Sequence, residues 1–463
     1  MSENSKDNAN DTTELEGLSP IPRDERTMGL SHYIPVWWSS LIIVQAFAVA
    51  FFAVYPHGNL NLVQAGIAIG IGTIIATIFF ILNGFPGYEE GIPFAVQTRS
   101  AFGTRGSIIP NYLRIIPAIG WLGIGNWIGA LAIQTITTTL WGFGNVWVYF
   151  VLFVLLNVGL ALNGITSIKW FDSIAAGILG LLLAYTVYLV LTTQHIPSDV
   201  INYSGSWGSQ FYATISAAVG FIITGALNAS DLSRHLKEKG GARNQVLGHA
   251  FGIAPPMMFM LLVGLVFGVS TGNANPIEAI MIVAPNPLVG SAMLLFVLGA
   301  QISTNLTLNI LPPTHVFQDS LGISWRQGVV LTSALSVVSF PWYLFSSNIF
   351  YTFINAYSVF LGPALGILIA DYWIIRKRDT DITSLYTVDK SSKFWFIRGF
   401  SMSALVSLLL GAAVSIPFLD ISWMVGLPIG FVCYCALKRF EFDQLLTDLV
   451  ADTTRSSTKS SND

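Results

Sequence analysis

PLVGSAMLLFVLGAQISTNLTLNIL, residues 287–311, carries no charged side chain and is long enough as a helix to cross the roughly 30 Å hydrocarbon core of a bilayer. Its first part is apolar apart from Ser291. Its second part, from Gln301, sets Ser303, Thr304, Asn305, Thr307 and Asn309 into the same span. A membrane helix satisfies its backbone internally, so these hydroxyls and amides need partners from other helices, a solute or an ion.

Working outward, comparable apolar stretches recur along the whole chain, which is 53% hydrophobic and only 10% charged over 463 residues. The spans are expected near 33–55, 61–83, 107–140, 146–165, 171–192 and 210–229, then 245–271, 287–311, 326–346, 350–375, 396–417 and 421–437. These are about twelve transmembrane helices, and the fold class is an all-α integral membrane protein. Every Lys and Arg falls on one side of that arrangement. Lys6, Arg23 and Arg26 precede the first span, Lys438, Arg439, Arg455 and Lys459 follow the last, and the even-numbered loops hold most of the rest, from Arg99 and Arg105 to Arg398. The excess of Lys and Arg on the cytoplasmic side of multi-pass proteins places both termini in the cytoplasm of a cell-membrane protein.

The first 25 or so residues are polar and acidic, with no apolar core of a cleaved signal, and read with their neighbours as a disordered tail over 1–28. The membrane domain is expected over 29–440 and a second tail over 441–463. No long linker divides the bundle. The chain holds no GxxxxGK[ST] phosphate loop and no HExxH, and Cys433 and Cys435 share one span without metal-ligand spacing. No basic patch points to nucleic acid, and no obligatory protein partner is evident. The protein reads as a transporter rather than an enzyme, requiring no cofactor.

Carboxylates near the spans cluster at their ends, as with Asp172, Asp231 and Asp371, and the middle of the bundle is almost uncharged. That favours a neutral polar solute and a cation held by neutral oxygens. The hydroxyls of Ser303 and Thr304, with the carbonyl of Ala300 one turn earlier, form such a donor set for a hard alkali cation. Asn305 and Asn309, four residues apart, share a helix face and can each donate and accept hydrogen bonds. Trp121 lies too deep in the third span for an interfacial aromatic, and Gly125 and Gly129 beside it permit close approach of a helix or ligand. In the sixth span Gly220 and Gly225 weaken the helix, as expected of a break lining a cavity, and Phe221 beside it offers a second ring. Asn228, Asp231 and Arg234 follow at helical spacing, suggesting capping and a partly exposed ion pair.

Several ordered motifs carry a resemblance: Asn83-Gly-Phe-Pro-Gly with Gly91-Ile-Pro-Phe, Arg99-Ser-Ala-Phe-Gly-Thr-Arg-Gly106, Gly120-Trp-Leu-Gly, Asn228-x-x-Asp-x-x-Arg234, Ser303-Thr-Asn305 and Gly366-Ile-Leu-Ile-Ala-Asp-Tyr-Trp373. With them the chain resembles the nucleobase:cation symporter-1 family, which holds the purine-cytosine permeases and the allantoin, uracil and hydantoin transporters. The resemblance implies the five-plus-five inverted-repeat fold of the leucine transporter, with repeats near 33–192 and 210–375 and two extra helices over 396–437. It implies alternating access, with Trp121 and Phe221 sandwiching a planar ring and Asn309, with Asn305 nearby, reading its polar edge. Sodium would take the carbonyls of Ser39, Ile42 and Ala300 and the hydroxyls of Ser303 and Thr304. Gln45 is implied as a substrate contact from the first span, although no Gly or Pro within 37–54 marks the break expected there. Where hydantoin and allantoin carriers often have a Gln, this chain has Gly125, which leaves space without an amide and favours a planar nucleobase such as cytosine or a purine. The expected function is symport of a neutral nucleobase-like ring with sodium or protons; the alternative is a channel or non-transporting receptor on the same bundle.

Overall fold

The computed structural model describes residues 17–163, 177, 180–182, 184–345 and 347–448. Most of the fifth span, with Lys169 and Asp172, and the tails over 1–16 and 449–463 lie outside the described residues. Among the described residues seven helices are long and apolar enough to cross a membrane, and the remaining spans are broken or shorter helices.

The first span is two helices, α1 (Leu30–Leu41) and α2 (Ala46–Phe51), followed by α3 (Leu62–Glu90) and the short α4 (Phe94–Phe102). The long α5 (Ile108–Trp141) and α6 (Val146–Ala161) complete the third and fourth spans. The sixth span is again divided, into α7 (Ser209–Leu227) and α8 (Ala229–Ser233), and α9 (Ala242–Thr271) is the seventh. The eighth runs from α10 (Pro287–Thr304) through a π-helical segment, Asn305–Ile310, into α11 (Leu311–Leu321). Then come α12 (Trp325–Val338), α13 (Ser347–Ala370), α14 (Met402–Ser415) and α15 (Ser422–Arg439).

The two divided spans break for different reasons. In α1 the hydroxyls of Ser39 and Ser40 both donate to the Val36 carbonyl, at 3.0 and 2.6 Å, and the last helical rung is Ile42 N–H to the Trp38 carbonyl. Such back-bonding competes with the ladder and supplies the break without Gly or Pro. In the sixth span the helix runs unbroken through Gly220 and Gly225, contrary to the expectation from the glycines, and stops at Asn228. Asn228, Asp231 and Arg234 are all buried, so the partly exposed ion pair expected there is also corrected. Asp231 accepts the Phe94 N–H at 2.9 Å, with His315 beside it, and Arg234 donates to the Gly17 carbonyl at 2.7 Å.

Glycines let α9 pack closely on both halves of the first span, against the Tyr33 and Trp37 side chains of α1 and the backbone of α2. A Cβ at Gly264 would lie 2.5 Å from the Cα of Phe47, so no larger residue fits without moving the helices apart. Residues 17–28 differ from the disordered tail expected of them. They cross the ends of α3 and α8, with Ile21 N–H on the Gly91 carbonyl, Met28 N–H on that of His235, and Leu18 buried against Ala95, Ile115, Val316 and Phe317. At the other end residues 442–448 are helical, with Asp443 accepting from Ser403 and Lys438.

Candidate functional site

The unwound stretch of the first span, the part of α7 that precedes the break at Asn228 and the π-segment of the eighth span border one cavity. The first span contributes Ile43 and Gln45 from its unwound stretch, α3 contributes Phe80, and α5 contributes Trp121. Phe221, Ile222, Thr224 and Gly225 line it from α7, and Thr304, Leu308 and Asn309 from the eighth span.

The π-segment follows from sequence. Pro312 and Pro313 have no N–H, so the Leu308 carbonyl has no backbone donor four or five residues on. Leu311 N–H reaches back five residues to the Leu306 carbonyl, and the freed Leu308 carbonyl takes Nη2 of Arg114 at 3.1 Å. Arg114 is fully buried and also donates Nε to the Asn228 side chain at 3.0 Å, tying the eighth span to the break of the sixth. A polar group left unpaired in this dry region would cost on the order of 1–3 kcal/mol.

Of the residues expected to bind a ring, Trp121, Phe221, Asn309 and Gln45 come together here. Trp121 and Phe221 do not stand face to face: their centroids are 5.3 Å apart at 87°, an edge-to-face contact. Phe350 and Phe353 complete the cage around the indole, each at 5.6 Å. Gln45 exchanges two hydrogen bonds with Gln301, at 3.0 and 3.2 Å. The others stand back. Asn305 is buried behind Asn309 and accepts its amide at 3.3 Å. Gly220 faces α13, its carbonyl taking the Tyr357 hydroxyl at 3.1 Å. Gly125 does not open onto the cavity either, since a Cβ there would lie 2.4 Å from Asn305 Oδ1 and 2.9 Å from Gln301 Oε1. The room for a Gln that the sequence suggested is occupied by these two amides.

Ala300, Ser303 and Thr304 are buried together on α10. Ser303 Oγ has no hydrogen-bond partner, and Thr304 Oγ1 donates to the carbonyl of Ser40 at 2.9 Å. The carbonyl that Thr304 meets is Ser40's, which lies between those of Ser39 and Ile42 expected for the cation. Sequence reasoning did not single out Ser40, Phe80, Arg114 or Gln301, which the structure places at or beside the cavity. Only Gln301, within the polar run of the eighth span, carried a signal that could have found it.

A second cavity lies further along the same two spans, bordered by Val49, four residues beyond Gln45, and by Ala217, one turn of α7 before Phe221. It is lined as well by Gln210, Thr214, Asn355 and Asp420.

Residues 20–438 match the family described as permease for cytosine/purines, uracil, thiamine, allantoin. The hydantoin permease of Microbacterium maritypicum is 28% identical over 91% of this chain and 88% of its own length, and the allantoin permease of Bacillus subtilis is 28% identical over 92% and 93%. Among solved structures, Mhp1, a nucleobase-cation-symport-1 family transporter in a closed conformation with bromovinylhydantoin bound, superposes with a TM-score of 0.82 at 26% identity, covering 92% of this chain and 95% of that one. A Na⁺-coupled sialic acid symporter, 12% identical with a TM-score of 0.64, shares the fold. The architecture is thus the leucine-transporter-like one, extended by α14 and α15.

Proposed function

This chain belongs to the family of permeases for cytosine/purines, uracil, thiamine and allantoin, and from that premise we propose that it is a secondary-active symporter that imports a neutral planar ring, a nucleobase or hydantoin-like compound, by alternating access. The observation that carries the reading is the shared cavity of Trp121, Phe221, Gln45 and Asn309 at two broken spans. Aromatic walls offer faces for a ring, and the amides offer donors and acceptors for its edge, with no charge to be neutralised. Trp121 and Phe221 part to admit the ring.

Sodium is the coupling ion in this reading. A buried hydroxyl without a partner, Ser303 Oγ, beside Thr304 and the Ser40 carbonyl supplies hard oxygen donors of the kind an alkali cation takes. Thr304 also lines the ring cavity, so one residue touches both ligands. Both termini lie in the cytoplasm, the membrane domain includes the packed residues 17–28 and 442–448 at its two ends, and the protein resides in the cell membrane.

The test is a thermal-shift panel of nucleobases, allantoin and hydantoins on purified protein, with and without sodium, followed by counterflow in proteoliposomes. A ligand that binds only the folded state raises the melting temperature. Sodium is expected to tighten the ring and the ring to tighten sodium by the same factor, because linkage is reciprocal. Thr304→Ala removes most of that coupling. Uptake driven by a pH gradient alone, without sodium dependence, would replace sodium by protons; flux without accelerated exchange would make the protein a channel.

A further inference from the structure

A chain of side-chain amides leads from the cavity wall into the bundle. Asn309 Nδ2 donates to Asn305 Oδ1 at 3.3 Å, Asn305 Nδ2 donates to Asn126 Oδ1 at 3.2 Å, and the same oxygen takes Asn157 Nδ2 at 3.0 Å. All four residues are buried, and of the four only Asn309 borders the cavity. The chain ends on backbone. Asn157 Nδ2 also donates to the Phe153 carbonyl at 3.0 Å, and Asn126 Nδ2 reaches Ser336 Oγ at 3.5 Å, whose own proton goes to the Ser333 carbonyl.

An amide shows an oxygen on one side and an NH₂ on the other, so each link dictates the next. A carbonyl can only accept. Phe153 therefore holds the Asn157 NH₂, which faces Asn126 as well and demands its oxygen. Asn305 must meet that oxygen with its NH₂, keeping its own oxygen for Asn309. Asn309 commits one of its two N–H groups to Asn305 and keeps its Oδ1, an acceptor, for the cavity, where the reversed relay would leave N–H donors alone. The Ser336 end agrees, since a hydroxyl already donating to Ser333 accepts from the Asn126 NH₂.

We propose that Asn157 and Asn126, neither of which touches the cavity, fix the donor–acceptor polarity with which Asn309 meets a ligand, so that the site prefers a ring presenting an N–H, as a lactam does, over one presenting a lone pair at the same place. This rests on the reading of the cavity as a ring site and goes beyond it, naming residues in α5 and α6 as specificity determinants that act through position.

Uracil and cytosine are the probes, because they match in shape but invert the donor and acceptor along one edge. Affinities for both are measured by calorimetry on full-length protein, and the readout is their ratio, which a loss of folded protein does not move. Wild type favours uracil. In Asn157→Asp the carboxyl, neutral in this dry interior, gives its one proton to the Phe153 carbonyl and turns a lone pair to Asn126. Asn126 then flips, Ser336 turns its proton from the Ser333 carbonyl to the Asn126 oxygen, and every link reverses, so the ratio moves about tenfold toward cytosine, the effect of one hydrogen bond lost by one ring and gained by the other. Asn157→Leu combined with Ser336→Ala removes both groups that orient Asn126, leaves the polarity unset and brings the ratio toward unity, by about threefold or more. A ratio within about twofold of wild type in either folded variant overturns the relay while leaving the ring site intact. Should neither variant fold, wild type decides, and a preference for cytosine overturns the proposal. If no ring in the panel binds wild type at all, the ring site itself is wrong and the relay falls with it.

Discussion

A ring held between Trp121 and Phe221 has to separate two side chains that already touch at 87°. The edge-to-face contact contributes about 0.5–1.5 kcal/mol beyond burial, and a ligand that replaces it with two stacked faces recovers it. Trp121→Phe is therefore expected to keep folded protein and part of the affinity. Trp121→Ala empties a cage shared with Phe350 and Phe353 and costs about 3–5 kcal/mol of stability as well as binding. Melting temperature measured beside affinity separates the two losses; unchanged affinity in the folded fraction of either variant would remove Trp121 from the site. Gly125 works differently from its sequence reading. Because its Cβ position abuts the Asn305 and Gln301 amide oxygens, Gly125→Ala displaces both and is expected to weaken ring binding about threefold to tenfold. Gly125→Gln should do the same rather than improve hydantoin binding. A gain in hydantoin affinity in titrations of Gly125→Gln would show that these amides yield without cost.

At the scale of elements, the eighth span couples a backbone defect to a function. Pro312 and Pro313 free the Leu308 carbonyl, Arg114 takes it, and the π-segment turns Leu308 and Asn309 into the cavity. Pro312→Ala restores an N–H and relieves a residue that disfavours helix interiors by about 3 kcal/mol. The expected outcome is a melting temperature equal to or above wild type with ring affinity reduced about tenfold or more, as Asn309 rotates with the regained α-register. Equal affinity in that variant would mean the π-segment is not what orients Asn309. The same span shows what a sequence can disclose. Its apolar run and polar tail were legible because length and hydroxyl content need no partner to be read. The break at Ile42 was not, since it depends on Ser39 and Ser40 bonding back to Val36 instead of on Gly or Pro. The glycines of the sixth span misled for the complementary reason: a helix packed on all sides tolerates Gly220 and Gly225, and the chain parts instead at Asn228, where Arg114 holds the side chain. Asn126 and Asn157 lie in different spans, and nothing along the chain says that they meet.

For the whole molecule, residues 17–28 fasten the ends of elements that the proposed alternating-access cycle would move apart. Arg26 is buried and donates to the carbonyls of Tyr88 and Glu89 at the end of α3, the latter at 3.2 Å, while Gly17 and Leu18 offer carbonyls to Arg234 and to the Tyr386 hydroxyl. The backbone of Met28 bonds both ways across residues 235–237. These contacts span the second, sixth and eighth spans, so opening on this face has to break them. Arg26→Ala leaves the carbonyls of Ile21, Tyr88 and Glu89 without their donor, at about 1–3 kcal/mol, and Leu18→Asp places a carboxylate among Ala95, Ile115, Val316 and Phe317. Either substitution is expected to raise the population open on this face by about fivefold to a hundredfold. Ser233, buried in α8 with its hydroxyl on the Gly84 carbonyl, is the reporter. In a Ser233→Cys variant lacking Cys433 and Cys435, thiol labelling should accelerate by that factor in the loosened proteins and slow again with saturating ring and cation. Labelling at the parent rate in both would show that the segment rides passively on a face whose closure is held elsewhere, by Arg114 and Asn228 within the bundle.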